Sequence, residues 1–182
     1  MRIYRDLQQG TKEWEALRLG IVTASSAAEI ITPAKLQPSK QVDGLIHRLA
    51  AERLIGQRCG NDLDSPWLER GRELEDEARR WFSFNYEAVE EVGFIMSDGG
   101  DFGCSPDGIV EGKFGYEAKC PSANVHVGYL LHPETFDAYV RMQVQFGLWV
   151  WHALHGNLGT ILENASDPLP GSVYARPAKD GC

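Results

Sequence analysis

Asp107, Glu117 and Lys119 are the residues whose types and spacing are best suited to chemistry. Glu117 and Lys119 stand two apart in Tyr116-Glu117-Ala118-Lys119-Cys120, which reads as a short strand. Side chains alternate across a strand, so the carboxylate and the ammonium leave from one face, roughly 7 Å apart. Cys104-Ser105-Pro106-Asp107-Gly108-Ile109-Val110 comes before it, and Gly108, Gly112 and Gly115 supply turn residues to fold one strand back beside the other. A hairpin of this kind brings Asp107 beside Glu117, with Lys119 one pleat further on. Hard carboxylate oxygens in such a group suit Mg²⁺ or Mn²⁺. The same residues have a plainer meaning, because Asp-Gly next to Pro is ordinary turn chemistry and a Glu/Lys pair is common on an exposed strand. Spacing alone leaves both readings open.

The elements around this stretch supply further candidates. Ser65-Pro66 is an N-cap followed by Pro at the first helical position, and a helix follows from Trp67 through Phe82. Trp67, Gly71, Leu74, Ala78 and Trp81 form its apolar stripe, and Glu73, Asp76 and Arg79 its solvated face. Glu75 falls on the rim, where a carboxylate can reach past the core into a cleft. A long helix begins near Thr135, with Phe136, Tyr139, Val140, Gly147 and Val150 as its stripe. Gln143 sits at the centre of that stripe, and a buried amide there must satisfy the core or reach a site. Near the start of the chain, residues 11–20 read as a helix capped by Thr11, with Arg18 near its end and Gly20 as its stop. Ser26 with Glu29 has capping-box spacing, so a second helix is expected to start there. Hydroxyls at that N-terminus and the nearby Arg18 could hold an anion such as a phosphate, or simply cap a helix.

The remaining stretches carry less chemistry. Residues 32–41, with Lys35 and Lys40, read as a basic loop, and Val42 to Ile55 as a helix ended by Gly56. Val89 to Met96 reads as a strand and Ser97-Asp98-Gly99-Gly100 as a turn. The stretch after Pro121, with His126 and His132, reads as loop. From His152 onward the pattern weakens into a Pro-rich tail.

Composition bounds the class. The 182 residues fit one domain with a real core, and 43% hydrophobic content marks a globular chain. No apolar run approaches the roughly 18 residues that span a bilayer, and Met1 to Asp6 lack a signal-peptide core, so a cytoplasmic location is expected. Cys59, Cys104, Cys120 and Cys182 show no C-x-x-C spacing, which argues against a zinc site or a disulfide framework. A net charge of −8 argues against a nonspecific nucleic-acid coat protein, but not against an enzyme that meets DNA at a local basic patch.

Taken in order, these features resemble the PD-(D/E)xK nuclease superfamily, written here as Pro106-Asp107 followed by Glu117-Ala118-Lys119. More narrowly, the chain is similar to the phage lambda exonuclease type of recombination nuclease, the YqaJ-like viral recombinases. The match takes in Trp14 to Gly20 with Thr23-Ala24-Ser25, Gly71 to Arg79, Cys104 to Gly108, Glu117 to Pro121, and Gln143-Val144-Gln145 with Trp149-Val150. It spans roughly residues 8–151 of a single nuclease domain over 1–182, with 152–182 an atypical tail.

The resemblance implies an α/β (α+β-like) fold, with a central mixed β-sheet flanked by helices and a restriction-endonuclease-like core. It implies Mg²⁺-dependent hydrolysis of phosphodiesters, with Mn²⁺ as a possible substitute, and 5′-to-3′ digestion from double-stranded DNA ends. It further implies a homotrimer and a phage single-strand annealing protein as partner. Carried over by position, Asp107, Glu117 and Glu75 would ligate metal with the Ala118 carbonyl. Lys119 would orient and help deprotonate the attacking water, Gln143 would help place that water or Lys119, and Arg18, Ser25 and Ser105 would hold the 5′ phosphate. The chain departs from the family after Trp151, where relatives continue with further strands. A sequence- or structure-specific endonuclease of the same superfamily, and a non-catalytic DNA-binding module, are the alternatives.

Overall fold

A computed structural model describes residues 2–59, 66–110, 114–132 and 137–152, which fall into two compact units interleaved along the chain. Among the described residues, the first unit is built from 2–59, 92–106 and 137–152, and the second from 66–91, 107–110 and 114–132.

The first unit holds a four-stranded mixed sheet in the order β1 (Arg2–Tyr4), β5 (Phe94–Met96), β6 (Phe102–Cys104), β2 (Val22–Thr23). Strand β5 runs antiparallel to both neighbours, with Ile95 opposite Ile3 on one side and Cys104 on the other, and β2 is parallel to β6. Ile21, Phe94 and Met96 form its buried core, with Tyr4, Leu7 and Leu17 packed around them. Helix α6 (Ala138–His152) lies on β5 and β6, where Trp149 meets Phe102 edge-on at 5.1 Å. The expected mixed sheet with helices packed on it is therefore present.

Local sequence explains the helices of this unit. Thr11 caps α1 (Lys12–Leu17), its hydroxyl accepting the Trp14 N–H, and the helix ends at Arg18 rather than running on to Gly20. The second helix departs from its expected start. The reciprocal cap joins Ser26 to Thr23 rather than to Glu29: the Ser26 hydroxyl accepts the Thr23 N–H at 3.1 Å and donates to the Thr23 carbonyl at 2.8 Å. That bond closes a 3₁₀ turn over Ala24–Ser26, leaving only four residues for α2 (Ala27–Ile30), while Glu29 pairs with Arg48. Residues 32–41 are not simply loop, because β3 (Ile31–Thr32) and β4 (Gln37–Pro38) pair as a small hairpin. Helix α3 (Val42–Ile55) has its expected bounds, and Gly56 ends it in the left-handed conformation that favours glycine. Leu45 is buried on α3, but Ile46 is exposed, so the apolar face is narrower than its pattern indicates.

The second unit pairs α4 (Pro66–Asn85) and α5 (Ala123–Leu131) with an antiparallel hairpin of β7 (Gly108–Val110) and β8 (Phe114–Tyr116). Ala78, Phe82, Val110, Tyr116 and Ala118 form its core, with Val89 against them. Phe82, not Trp81, is the inward aromatic: its ring lies 5.2 Å from Tyr116, whereas Trp81 is exposed. The expected strand over 89–96 is divided between the units. Only Phe94–Met96 joins the four-stranded sheet, while Glu90 bridges Ile109 in the second unit. Gly108 permits that bridge, since a Cβ there would collide with the Val89 side chain and crowd the Glu90 carbonyl. The expected loop after Pro121 is helix α5, started by Ser122 in an extended N-cap conformation.

Expectations for Ser65, Thr135, Phe136 and the tail from residue 153 lie outside the described residues. Among the described residues no helix is long and apolar enough to cross a membrane.

Candidate active site

The hairpin register builds the site in the second unit. Gly108 pairs with Tyr116, Ile109 with Gly115 and Val110 with Phe114, so one step outward sets Asp107 opposite Glu117. The Asp107 Oδ2 accepts the Ala118 N–H at 2.7 Å, which fixes its carboxylate against the end of β8. Past β8 the alternation continues: Tyr116 and Ala118 are buried in the core, while Glu117 and Lys119 share the other face. There the Lys119 Nζ donates to Glu117 Oε1 at 2.6 Å. Glu75, half-buried on α4, adds its negative charge to the same group. The proposed acids and amine of this unit are thus brought together.

Their electrostatics follow from crowding of like charge out of water. Burial, then the negative charges of Asp107 and Glu75, push the Glu117 carboxyl up to about 7 against the pull of Lys119. Burial also raises Asp107, opposed by Lys119, the Ala118 N–H and Arg79. For Lys119, burial favours the neutral amine, but Glu117, Asp107 and Glu75 outweigh it and hold the ammonium above its usual range. The Cys120 thiol, pushed up to about 11 by burial and by Glu75 and Asp107, stays protonated and is no nucleophile at neutral pH.

Arg79 belongs to this group, although its place in a run of charges reads as solvated face. Its side chain is only 17% exposed, and it donates to Asp76, to Glu91 and, at 3.4 Å, to the carbonyl of Asp107 itself. Its position four residues after Glu75, on the same helix face, was the available signal.

The donor chemistry fits a hard divalent cation: carboxylates and the neighbouring Ala118 carbonyl, with acid–acid repulsion that a cation would relieve. Among the described residues no three His, Cys, Asp or Glu side chains are grouped closely enough to hold a metal ion; Asp107 accepts the Ala118 N–H and Glu117 the Lys119 ammonium.

The expected anion residues lie in the first unit. Arg18, Thr23, Ser25, Arg48, Glu52 and Arg58 line a cavity of about 360 Å³. Arg18 stacks over Trp14, 3.8 Å from the ring centroid, and its buried Nε has no hydrogen-bond partner. Ser25 is exposed, its hydroxyl 2.9 Å from that of Thr23. Helix α2, four residues long, is too short to act as the anion site expected of a helix N-terminus, and the cations of the cavity are its guanidinium groups. Ser105 is not part of the cavity lining: its hydroxyl accepts the Trp14 indole N–H at 3.1 Å, at the edge of the ring that carries Arg18. Gln143 is half-buried on α6, also in the first unit, and is not a fully buried core amide. Arg58 and Glu52 were missed, since no periodicity or motif marks them.

Known proteins resemble this chain along most of its length. Residues 13–154 match the model of the YqaJ-like viral recombinase domain. The chain is similar to the crystal structure of an alkaline exonuclease (LHK-Exo) from Laribacter hongkongensis, with 33% identity, a TM-score of 0.62, and 76% of this chain and 67% of that one covered. LHK-Exo in complex with dAMP gives 31% identity and a TM-score of 0.64 over 78% and 69% of the two chains. No curated protein matches.

Proposed function

Because the chain belongs to the YqaJ-like viral recombinase domain family, we propose that it is a metal-dependent deoxyribonuclease that digests duplex DNA 5′ to 3′ from its ends. The observation that carries this reading is Asp107 set opposite Glu117 by the hairpin register, with Lys119 on the same face. The likeness to an alkaline exonuclease, in one structure bound to the mononucleotide dAMP, supports it. The products would be single strands for phage-type recombination, and the same reading carries a homotrimer and a single-strand annealing protein as partners.

In this mechanism Asp107, Glu117, Glu75 and the Ala118 carbonyl would hold Mg²⁺, with Mn²⁺ a chemical equivalent. When bound, such a cation lowers the pKa of a coordinated water and neutralises charge on the phosphate. Lys119, held as the ammonium, would orient the attacking water and favour its deprotonation by its positive charge. Arg18, with Ser25 on the same cavity, would hold the 5′ phosphate, and Ser105 would act by fixing the Trp14 indole under Arg18.

Digestion of 5′-end-labelled linear duplex, with and without Mg²⁺, tests the reading, with closed circular duplex as the control. Labelled mononucleotide should appear only with the cation, and the circle should survive. Rapid cutting of the circle would replace this reading with an endonuclease. End binding with no hydrolysis under any divalent cation would leave a non-catalytic module.

A further inference from the structure

The cavity in the first unit holds a second arginine that neither the motifs nor the activity reading has used. Three guanidinium groups line it, from Arg18, Arg48 and Arg58, along with the acids Glu15, Glu29 and Glu52. They are not equivalent. Arg48 is held by both oxygens of Glu29, at 2.8 and 3.1 Å. Arg18 and Arg58 form no ion pair among the described residues. Glu15 and then Glu52 pull on Arg18 from the cavity wall, and both oxygens of Glu52 are engaged with backbone: Oε2 accepts the Gly20 N–H at 3.0 Å and Oε1 the Cys59 N–H at 3.2 Å.

Those two bonds also explain how the arginines come together. Gly20 lies two residues after Arg18, and Cys59 directly follows Arg58. One buried carboxylate on α3 therefore fixes both of the segments that deliver a guanidinium to the cavity. Arg53 reinforces the first by donating to the Gly20 carbonyl at 2.9 Å. The two cations feel each other: after burial, the positive charge of Arg58 is the largest influence holding Arg18 down to about 10. Like charges set side by side, one with an unpartnered buried N–H, are stabilised by an anion between them.

We propose that Arg58 is a second phosphate-binding cation of this cavity, acting with Arg18 to select a terminal phosphate monoester. A monoester carries about −1.5 to −2 charges at neutral pH, whereas the diester of a continuous strand carries only one. Two guanidinium groups match the first and over-match the second. This rests on the end-directed reading above, and Arg58 adds to it a specificity-determining residue.

The test uses the full chain and the variants Arg58→Gln, Arg58→Lys and Arg18→Gln. Short duplexes bearing a 5′ phosphate or a 5′ hydroxyl are compared by anisotropy in EDTA and by digestion with Mg²⁺. Arg58 is exposed, so its replacement leaves the core intact. Arg58→Gln should reduce the phosphate-over-hydroxyl preference about tenfold or more in the binding assay, the loss of a charge-assisted contact. Arg58→Lys should recover part of it. A preference within about twofold of the unsubstituted chain, or an equal loss of binding to both ends, overturns the proposal. The metal-free arm stands apart from catalysis. If nothing is digested but Arg58→Gln still removes the binding preference, the nuclease reading fails and this inference holds.

Discussion

Glu117 is pulled in opposite directions by its neighbours, and the balance is measurable. Its carboxyl rises from the usual 4.5 to about 7, so between those values the folded chain keeps a proton that the unfolded chain has released. Stability from this group is fully present below 4.5 and is lost as pH rises toward 7. Urea midpoints in EDTA should therefore fall across that window, and Glu117→Gln should flatten the fall. A steeper fall in the variant would contradict the burial of this group. Saturating Mg²⁺ should raise the midpoint of the unsubstituted chain at pH 7.5, by about 2.7 kcal/mol at a hundredfold excess over Kd. Lys119→Ala should abolish hydrolysis yet keep end binding, because the arginines of the cavity lie elsewhere in the chain. Undiminished cleavage by that variant would remove Lys119 from the mechanism.

At the scale of elements, α4 and the β7–β8 hairpin are joined by Arg79 as well as by Phe82. Arg79→Leu should destabilise the chain by about 2 kcal/mol, since it strips donors from two carboxylates and from the Asp107 carbonyl. It should also lower kcat more than it raises KM for DNA ends, which steady-state kinetics would separate. How legible each element was follows from how local its causes are. Helix α3 carries its own stop residue, so its bounds could be read from the chain; the hairpin could be read but not its bounds, because β8 ends at Tyr116, before the Glu117–Lys119 stretch expected to be strand, and β7 begins only at Gly108. Helix α5 could not, because its Val, Gly and His residues give no clear apolar stripe, although Ser122 marks its start. The choice of Phe82 over Trp81 lies in the ring of Tyr116, distant in sequence. Among candidate site residues, Glu75, Asp107, Glu117 and Lys119 were singled out by strand and helix spacing, and their roles came from the family resemblance. Arg58 and Arg79 were not, since contacts outside their own elements place them.

At the scale of the whole molecule, a net charge of −8 sets how the chain meets DNA. Duplex that offers no end meets a protein in which acidic residues outnumber basic ones by 26 to 18, so nonspecific attraction is weak. An excess of closed circular duplex should leave the rate of linear digestion nearly unchanged, while linear competitor should slow it; strong inhibition by circles would show a basic surface unaccounted for here. The interleaving of the two units has its own consequence. The chain passes between them at 61–62, 91–92, 106–107 and 136–137. A ribosome making this protein must therefore deliver α6, the last described helix, before the sheet laid down by the first hundred residues gains its cover. Nascent chains stalled before that point should be cut readily by protease in the first unit, whose sheet still lacks α6, and no single stretch between two of those crossings can be excised as a self-sufficient fragment.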